Sequence, residues 1–263
     1  MTTVRFSCVI EQSQEAPPKR GGLVLGSRQH TGAPLNTVAH PRKALTIYIL
    51  CFLTVWSIRA TVLFPIDQHI SSPVWGQLYA DAVRLLIWVL PVWVYLRLVD
   101  KTEPAAYLRL TTFGDTGQLL RSSFTVGLYF VIILFIDFAR AGFPTQVVFS
   151  PFLLSNSWVK TILVISVAPL AEEILFRGFF LRKLEVDLGQ WQANLWTSIL
   201  FVSTHMPNWL YTGKSYSEII ILAVGVFAVS LLLGYVVQAT QSLWPGIIVH
   251  MLNNVIAFYV RFG

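Results

Sequence analysis

Residues 167–180 read VAPLAEEILFRGFF, so two adjacent carboxylates and one guanidinium lie within an apolar stretch. The apolar run extends from about residue 158 to residue 181, and a helix of that length, at about 1.5 Å per residue, can cross a bilayer. A charged side chain at the centre of a bilayer costs about 3 kcal/mol on insertion scales. The stretch therefore predicts a membrane helix whose charges have either a partner or a function.

The three charges in this stretch differ in the partners that the helix offers them. Glu173 and Arg177 are four residues apart, so they share one helical face and can pair. Glu172 points about 100° away from Glu173 and has no partner within its own helix. We interpret Glu173 and Arg177 as part of an ion-pair network between helices. Glu172 is the functional candidate, because an unpartnered acid inside a membrane helix is functional by default.

The composition places the whole chain in a membrane. Of the 263 residues, 55% are hydrophobic and 12% are charged, whereas soluble domains carry about 25% charged residues. The net charge of +6 comes from basic residues scattered among loops, without a basic stripe interleaved with aromatics, so we expect no nucleic-acid partner. Cys8 and Cys51 define neither a disulfide framework nor a metal-binding motif.

The chain divides into three parts. Residues 1–43 are expected to form a disordered polar N-terminal tail, because this part is rich in Pro, Gly, Gln, Ser and Thr. Its first residues are too polar for the core of a signal peptide, so the first span is expected to act as an uncleaved anchor. Residues 44–140 are expected to hold the N-terminal transmembrane helices, and residues 141–263 the catalytic membrane core.

The hydropathy pattern predicts an all-α polytopic membrane bundle of about seven to eight transmembrane helices. The eighth depends on residues 143–157, which are interpreted as a re-entrant or interfacial segment or as an extra crossing. Pro65 and Pro207 are expected to end the first and fifth spans, and Pro91 and Pro169 to kink or loosen the second and fourth. The seven predicted spans are 44–64, 74–99, 119–138, 158–181, 191–206, 216–238 and 243–262.

Lysine and arginine are unevenly distributed between the two ends of the spans. The N-terminal tail and the loops after the second and fourth spans hold most of them. Because cytoplasmic loops carry an excess of Lys and Arg, this pattern predicts a cytoplasmic N terminus and, with seven spans, a C terminus on the far side. Within the second span, Asp81 and Arg84 are three residues apart and are predicted to pair.

Four polar groups recur on the last spans, at Glu172, His205, His250 and Asn254. His205 follows Phe201 by four residues and Asn254 follows His250 by four, so the members of each pair share a helical face. A Glu beside a His can hold and activate a water as general base. Imidazole and carboxamide N–H groups can stabilise the oxyanion of a tetrahedral intermediate. Together these groups suit hydrolysis of a peptide bond.

Other interpretations of the same groups stay open. A single His in a span is more often a hydrogen-bonded packing residue, and we interpret Asn253 as a packing residue too. Zinc bound by Glu172, His205 and His250 is an alternative, although the spacing is not the His-Glu-x-x-His pattern. A proton-coupled transporter would also use such groups as a relay, but the first three spans offer few polar side chains to complete its path.

Three motifs in this order and spacing resemble the signature of the CAAX protease and bacteriocin-processing (CPBP) family. The resemblance covers about residues 169–254, and it implies an intramembrane glutamic endopeptidase with a multi-helix, CAAX-protease-like membrane core that requires no metal. The motifs are Glu172-Glu173-x-x-x-Arg177, Phe201-x-x-x-His205 and His250-x-x-x-Asn254.

The resemblance also implies roles for individual residues. Glu172 would be the catalytic glutamate, His205 its partner in activating water, and His250 and Asn254 the pair that stabilises the oxyanion. Glu173, Arg177 and Phe201 match supporting positions. The implied substrate is a membrane-associated peptide or protein, with a prenylated C terminus and a bacteriocin leader among the candidates, and the implied location is the plasma membrane of a bacterium. The alternative is a non-catalytic membrane binding protein, for bacteriocin immunity or assembly, on the same fold.

Overall fold

The computed structural model describes residues 42–62, 69–140, 147–149 and 158–262. This part is helical apart from one antiparallel pair of three-residue strands, which confirms the all-α prediction. The predicted disordered tail lies outside the described residues except at positions 42 and 43, and so does most of the segment 143–157. The elements are α1 (Arg42–Thr61), α2 (Pro73–Arg84), π1 (Leu85–Val89), α3 (Leu90–Leu98), α4 (Pro104–Tyr107), α5 (Thr116–Arg140), β1 (Val147–Phe149), α6 (Trp158–Glu173), π2 (Ile174–Leu181), α7 (Arg182–Tyr211), α8 (Tyr216–Thr240), α9 (Trp244–Tyr259) and β2 (Val260–Phe262).

Seven long helical segments follow one another in the described part of the chain, when α2–π1–α3 and α6–π2 are each taken as one. This number agrees with the seven predicted spans. Four of the segments are long and apolar enough to cross a membrane, namely Lys43–Thr61, Pro73–Leu98, Thr116–Arg140 and Tyr216–Thr240. The chain is therefore an integral membrane protein.

The outer face of α5 shows how the bundle meets lipid. Large apolar side chains recur there at helical spacing and are all exposed, which a protein surrounded by water would bury. A bilayer solvates such a stripe without cost. The side chains are Leu120, Phe124, Leu128, Val131 and Phe135.

The ends of the helices form two opposite faces of the bundle. Residues from the end of α1, the start of α2, the start of α6 and the end of α7 line a single cavity, and we call this end of the bundle the cavity face. At the other end, the indole nitrogen of Trp244 donates to the Leu110 carbonyl at 2.8 Å, and Lys183 pairs with Asp100. We call this end, where the loop after α3 meets the starts of α7 and α9, the loop face.

Successive segments alternate between these two faces. α5 begins at the loop face, because a Cβ added at Gly114, just before it, would lie 2.2 Å from the carbonyl oxygen of Thr240 at the end of α8. α6 begins at the cavity face, where Lys160 lines the cavity. The chain therefore crosses the bundle once in α5 and returns in α6, as the seven-span prediction requires.

Aromatic rings and cations pack together at the loop face. The guanidinium of Arg182 lies 4.5 Å from the centre of the Tyr107 ring, and the ammonium of Lys183 lies 5.1 Å from it. Burial raises the pKa of the Tyr107 phenol, so the ring stays neutral and offers its π face to both cations. These contacts join the start of α7 to the loop that holds α4.

The prediction for Pro207 differs from the structure. α7 continues through Pro207 to Tyr211, so the prediction that Pro207 ends the fifth span is wrong. Proline removes one backbone hydrogen bond, but packed neighbours in a membrane bundle can hold the helix through it. The same helix instead breaks near its start, at Gly189, where φ is 76° and ψ is 171°. Pro65 lies outside the described residues.

The other two prolines lie close to widened turns. Pro91 is the second residue after π1, where the helix is wound more loosely, as expected when a proline disturbs the hydrogen bonds of a helix. Around Pro169, α6 remains α-helical, and the widened turn π2 begins only at Ile174. The expected loosening of the fourth span is therefore present, but it begins directly after the two acids rather than at Pro169.

The segment π2 lies at the centre of the bundle. All eight of its residues are buried, and the rings of Phe176 and Phe180 pack edge-on against Phe52 of α1 at 6.4 and 6.0 Å. At Gly178, an added Cβ would lie 2.7 Å from the Leu108 side chain, so the helix needs glycine there to approach its neighbour. This central packing fixes the position of the motif that precedes it.

Candidate active site

A buried ion pair forms the base of the site. The Arg177 guanidinium donates to Glu173 Oε1 at 2.8 Å, and both side chains are almost completely buried. Arg177 also donates to the hydroxyl of Ser230 at 2.8 Å and to its carbonyl at 3.1 Å. The predicted pair is therefore present, and it joins α6 and π2 to α8, as a network between helices requires.

His250 lies between the two glutamates. Its Nδ1 is 2.8 Å from Glu173 Oε1, and its Nε2 is 3.6 Å from Glu172 Oε2. A carboxylate only accepts hydrogen bonds, so the contact with Glu173 places a proton on Nδ1 and turns Nε2 toward Glu172. Glu173 thus positions His250 in addition to pairing with Arg177, a role that the sequence analysis did not assign.

Gly246 allows this contact between helices. It lies one turn before His250 on α9, and a Cβ added there would be 2.5 Å from Val237 Cγ2 and 3.5 Å from Glu173 Oε2. Only glycine lets α9 approach α8 and the buried carboxylate this closely. The closeness of Gly246 to the chain of α8 therefore supports the 2.8 Å contact between His250 and Glu173.

Glu172 faces a cavity of about 590 Å³ that begins at the cavity face. Its side chain keeps 13% of its surface exposed, whereas that of Glu173 is fully buried. His205 lines the same cavity, together with Thr204 and Asn208 from its own helix. The structure thus brings together Glu172 and His205, which are far apart in the sequence, in a space large enough for water and a peptide.

The orientation of the His205 ring follows from one backbone contact. Its Nδ1 lies 3.0 Å from the carbonyl oxygen of Phe201, four residues earlier. Because a carbonyl can only accept, Nδ1 carries the proton and Nε2 keeps its lone pair. A neutral imidazole held in this tautomer is able to accept a proton from water.

Phe201 lies among the other motif residues. Its ring centre is 5.0 Å from that of His205 and 6.0 Å from that of His250, and the Arg177 guanidinium lies 4.6 Å from the ring centre. The ring is buried and also packs edge-on against Phe176. Phe201 therefore spaces the two histidines with its ring and orients one of them with its carbonyl.

The two asparagines of α9 are placed differently from the histidine. Asn254 is half-buried one turn after His250, and neither residue is among the described ones that line the cavity. His250 joins the site through its contacts with Glu172 and Glu173. Asn253 accepts a hydrogen bond from the Tyr129 hydroxyl of α5 at 3.5 Å, which agrees with the packing interpretation. The structure thus brings Glu172, His205 and His250 together and leaves Asn254 at the edge of this group.

Several lining residues were not singled out from the sequence. The indole nitrogen of Trp56 donates to the carbonyl of Thr204 at 2.9 Å and so ties α1 to the helix that carries His205. The ring of Trp209 lies 5.5 Å from that of His205. Trp209 follows His205 by four residues, so its spacing could have indicated the shared helical face, whereas Trp56 reaches the cavity only through the packing of helices. The basic lining residues are Arg59, Arg84 and Lys160.

The structure gives little support to the zinc alternative as a geometric arrangement. Among the residues that it describes, no three His, Cys, Asp or Glu side chains converge as a metal site would require. His250 uses Nδ1 for the Glu173 contact and presents only Nε2 toward Glu172. The chelator experiment described below tests the prediction that no metal is required.

Comparisons with known proteins agree with the motifs. Residues 154–256 match the family model described as Rce1-like, type II CAAX prenyl endopeptidase Rce1-like. The matched range contains all three motifs, and it confirms the resemblance to the CPBP family for this part of the chain. No curated protein and no solved structure shows a significant match to the chain. The family match supports intramembrane protease activity in general.

Proposed function

We propose, from the premise that residues 154–256 form an Rce1-like domain, that the chain is an intramembrane endopeptidase of the CAAX prenyl protease type. The observation that carries the proposal is the shared cavity of Glu172 and His205 within a membrane bundle. Hydrolysis inside a membrane needs a space that admits water and holds a base. The cavity supplies the space, and these two side chains supply the base.

Glu172 and His205 together activate water in this proposal. The Glu172 carboxylate can accept one hydrogen bond from a water, and His205 Nε2, which keeps its lone pair, can accept another. The activated water then attacks the carbonyl carbon of the scissile peptide bond, and its proton passes to the base. The C–N bond breaks when the tetrahedral intermediate collapses, and the base returns the proton to the leaving amine. A base held in this way contributes about 10²- to 10⁴-fold to the rate.

His250 stabilises the negative charge that develops on the carbonyl oxygen. Its Nδ1 is occupied by Glu173, so its Nε2 is the atom available to the reacting group, and a protonated ring would donate from there. Glu173 and Arg177 act as positioning residues, because Glu173 contacts His250, Arg177 holds Glu173, and neither is among the described residues that line the cavity. Asn254 adds a carboxamide donor if its side chain turns toward the substrate.

The test is the variant Glu172→Gln, which keeps the size of the side chain and removes the carboxylate. In membranes that contain the wild-type protein, its cleavage products are identified by comparing peptide termini with those in Glu172→Gln membranes. We expect the products to disappear, with at least a 100-fold loss of rate. Glu103→Gln is the matched control, because Glu103 lies on the surface, where it pairs with Arg97; it should cleave like the wild type.

Two other outcomes would each favour a different function or cofactor. If Glu172→Gln retains the cellular phenotype of the wild type and the same peptide termini, the chain acts as a non-catalytic membrane binding protein. Dialysis against a chelator tests the cofactor prediction: we expect unchanged cleavage. A loss that zinc restores would instead assign a metal to Glu172, His205 and His250.

A further inference from the structure

The loop after α3 lies at the level where the membrane helices meet the lipid headgroups. The stretch Pro73–Leu98 is long enough to span a membrane, so the residues that follow it leave the hydrocarbon region. The loop is fixed against the start of α9. The backbone N–H of Leu243 donates to the Arg109 carbonyl at 3.2 Å, and the Trp244 indole contacts the loop one residue later. The side chains of this loop are therefore held at the membrane surface, at the loop face.

Arg182, at the start of α7, is a buried cation with an unpaired hydrogen-bond donor. Only 9% of its surface is exposed, and its Nη1 is buried without a hydrogen-bond partner among the described residues. The Tyr107 ring, whose centre lies 4.5 Å from the guanidinium, offsets part of the positive charge but does not replace an oxygen acceptor. A buried charged donor without an acceptor is costly, so such groups in native proteins almost always meet one.

Arg109 brings a second guanidinium to the same place. Burial and the nearby charge of Arg182 lower the pKa of Arg109 to about 10, so both side chains are charged at neutral pH and repel each other. Glu185, one turn after Arg182, attenuates this repulsion through space, but it forms no ion pair with either arginine within the described part of the chain. Neighbouring acids are already paired with other bases, in Arg97–Glu103 and Lys183–Asp100.

Two neighbouring guanidinium groups are well suited to bind a phosphate, because each planar fork can donate two parallel hydrogen bonds to its oxygens. The surroundings favour the phosphate of a lipid over a soluble one. Val186 follows Arg182 by four residues, so it lies on the same helical face, and 60% of its surface is exposed. Trp191, a residue type enriched where membranes meet water, is 68% exposed on the same helix. A lipid supplies acyl chains to cover such side chains, whereas a soluble anion does not.

We infer that Arg109 and Arg182 bind the phosphate group of an anionic phospholipid at the loop face. The phosphate supplies the acceptor for Arg182 Nη1 and neutralises the repulsion between the two guanidinium groups. A zwitterionic headgroup brings a cation of its own, which the two arginines repel. Because the loop that holds Arg109 also contacts the start of α9, the bound headgroup joins α7 to α9. This site lies apart from the cavity of Glu172, so its existence does not depend on the proposed function.

Lipid titration of the purified full chain tests the site. The protein is freed of lipid in detergent and titrated with phosphatidylglycerol or phosphatidylcholine, and binding is followed by native mass spectrometry. We expect Arg109→Gln to weaken phosphatidylglycerol binding by about tenfold or more, because it removes a charged donor. Arg97→Gln is the matched control, since it makes the same change of charge at the same face in an exposed ion pair. It should change the affinity by less than about twofold.

Arg182→Lys tests the second guanidinium. The lysine keeps the positive charge beside the Tyr107 ring but loses the planar fork, so we expect weaker phosphatidylglycerol binding. The temperature of unfolding in lipid-free detergent shows whether the variant is folded. A folded Arg182→Lys protein that binds the lipid like the wild type would contradict the role of Arg182. If Arg182→Lys does not fold, the comparison of Arg109→Gln with Arg97→Gln decides the inference.

Soluble phosphates distinguish the two possible sources of the anion. Inorganic phosphate and glycerol 3-phosphate are added in large molar excess, and we expect neither to displace phosphatidylglycerol. Displacement by inorganic phosphate would assign a soluble anion to the site and overturn the lipid. Equal affinities for phosphatidylglycerol and phosphatidylcholine, or equal effects of Arg109→Gln and Arg97→Gln, would refute the site. Glu172→Gln protein should bind the lipid like the wild type, so the loss of cleavage and the loss of lipid binding are separate results.

Discussion

At the scale of single residues, the site depends on charged side chains that are buried and paired with one another. Glu173 contacts both Arg177 and His250 at 2.8 Å, and Arg177 is held in turn by Ser230. Each group in this network of contacts is the hydrogen-bond or ion-pair partner of the next, which reduces the free-energy cost of burying the charges. Removing one member of this network leaves its neighbours unpaired, so a single substitution should destabilise the whole network.

Arg177→Met should be strongly destabilising, because it leaves the Glu173 carboxylate buried beside His250 alone. We expect a loss of about 3–5 kcal/mol in the free energy of unfolding, measured by denaturation of the purified protein in detergent. Arg97→Met is the control, since Arg97 and Glu103 form an exposed pair worth at most about 1 kcal/mol. Similar losses in the two variants would contradict the role given to the buried pair. Glu173→Gln combined with Arg177→Met should recover part of the stability.

At the scale of helices, close crossings determine how the motif-bearing elements meet. Gly234 of α8 faces Asn194 of α7, whose amide donates to the Leu231 carbonyl at 3.0 Å. A Cβ at position 234 would lie 1.9 Å from Asn194 Oδ1. The two helices can therefore keep this distance only if the residue is glycine.

Gly234→Ala should destabilise the bundle by about 1–3 kcal/mol, because either the Asn194 hydrogen bond breaks or the helices separate. Gly225→Ala is a matched control on the same helix, since nothing lies within 4 Å of its added Cβ. That variant should be neutral or slightly stabilising, because alanine is the better helix former. Thermal unfolding in detergent distinguishes the two. If both glycines tolerate alanine equally, the crossing of α7 and α8 is looser than the structure shows.

Contacts within and between helices show what the sequence could predict and what it could not. Spacing of four residues identified the Glu173–Arg177 pair and the Phe201–His205 pair, because such contacts lie within one helical face. The contact of His250 with Glu173 joins residues 77 positions apart, and no local pattern encodes it. Pro207 was assigned to a helix end on local propensity, which the surrounding bundle overrides.

At the scale of the whole molecule, alternation of the helices determines which loops share a side of the membrane. The loop after α3 and the starts of α7 and α9 lie at one face, and the cavity lies at the other. The hydropathy of the chain predicted seven spans but left open an eighth at residues 143–157. The positions of α5 and α6 favour seven, because Gly114 before α5 and Lys160 in α6 lie at opposite faces.

Reporter insertions should show this alternation directly. Alkaline phosphatase, which is active only outside the cytoplasm, is inserted after Lys101 or Gly213 or fused after Gly263. Three crossings separate the first two positions and two crossings separate the last two, so we expect opposite activities at Lys101 and Gly213 and equal activities at Gly213 and Gly263. A fluorescent protein that fluoresces only in the cytoplasm serves as the complementary control. Equal phosphatase activity at Lys101 and Gly213 would require an additional crossing between α5 and α6, because only an even number of spans returns the chain to the same side.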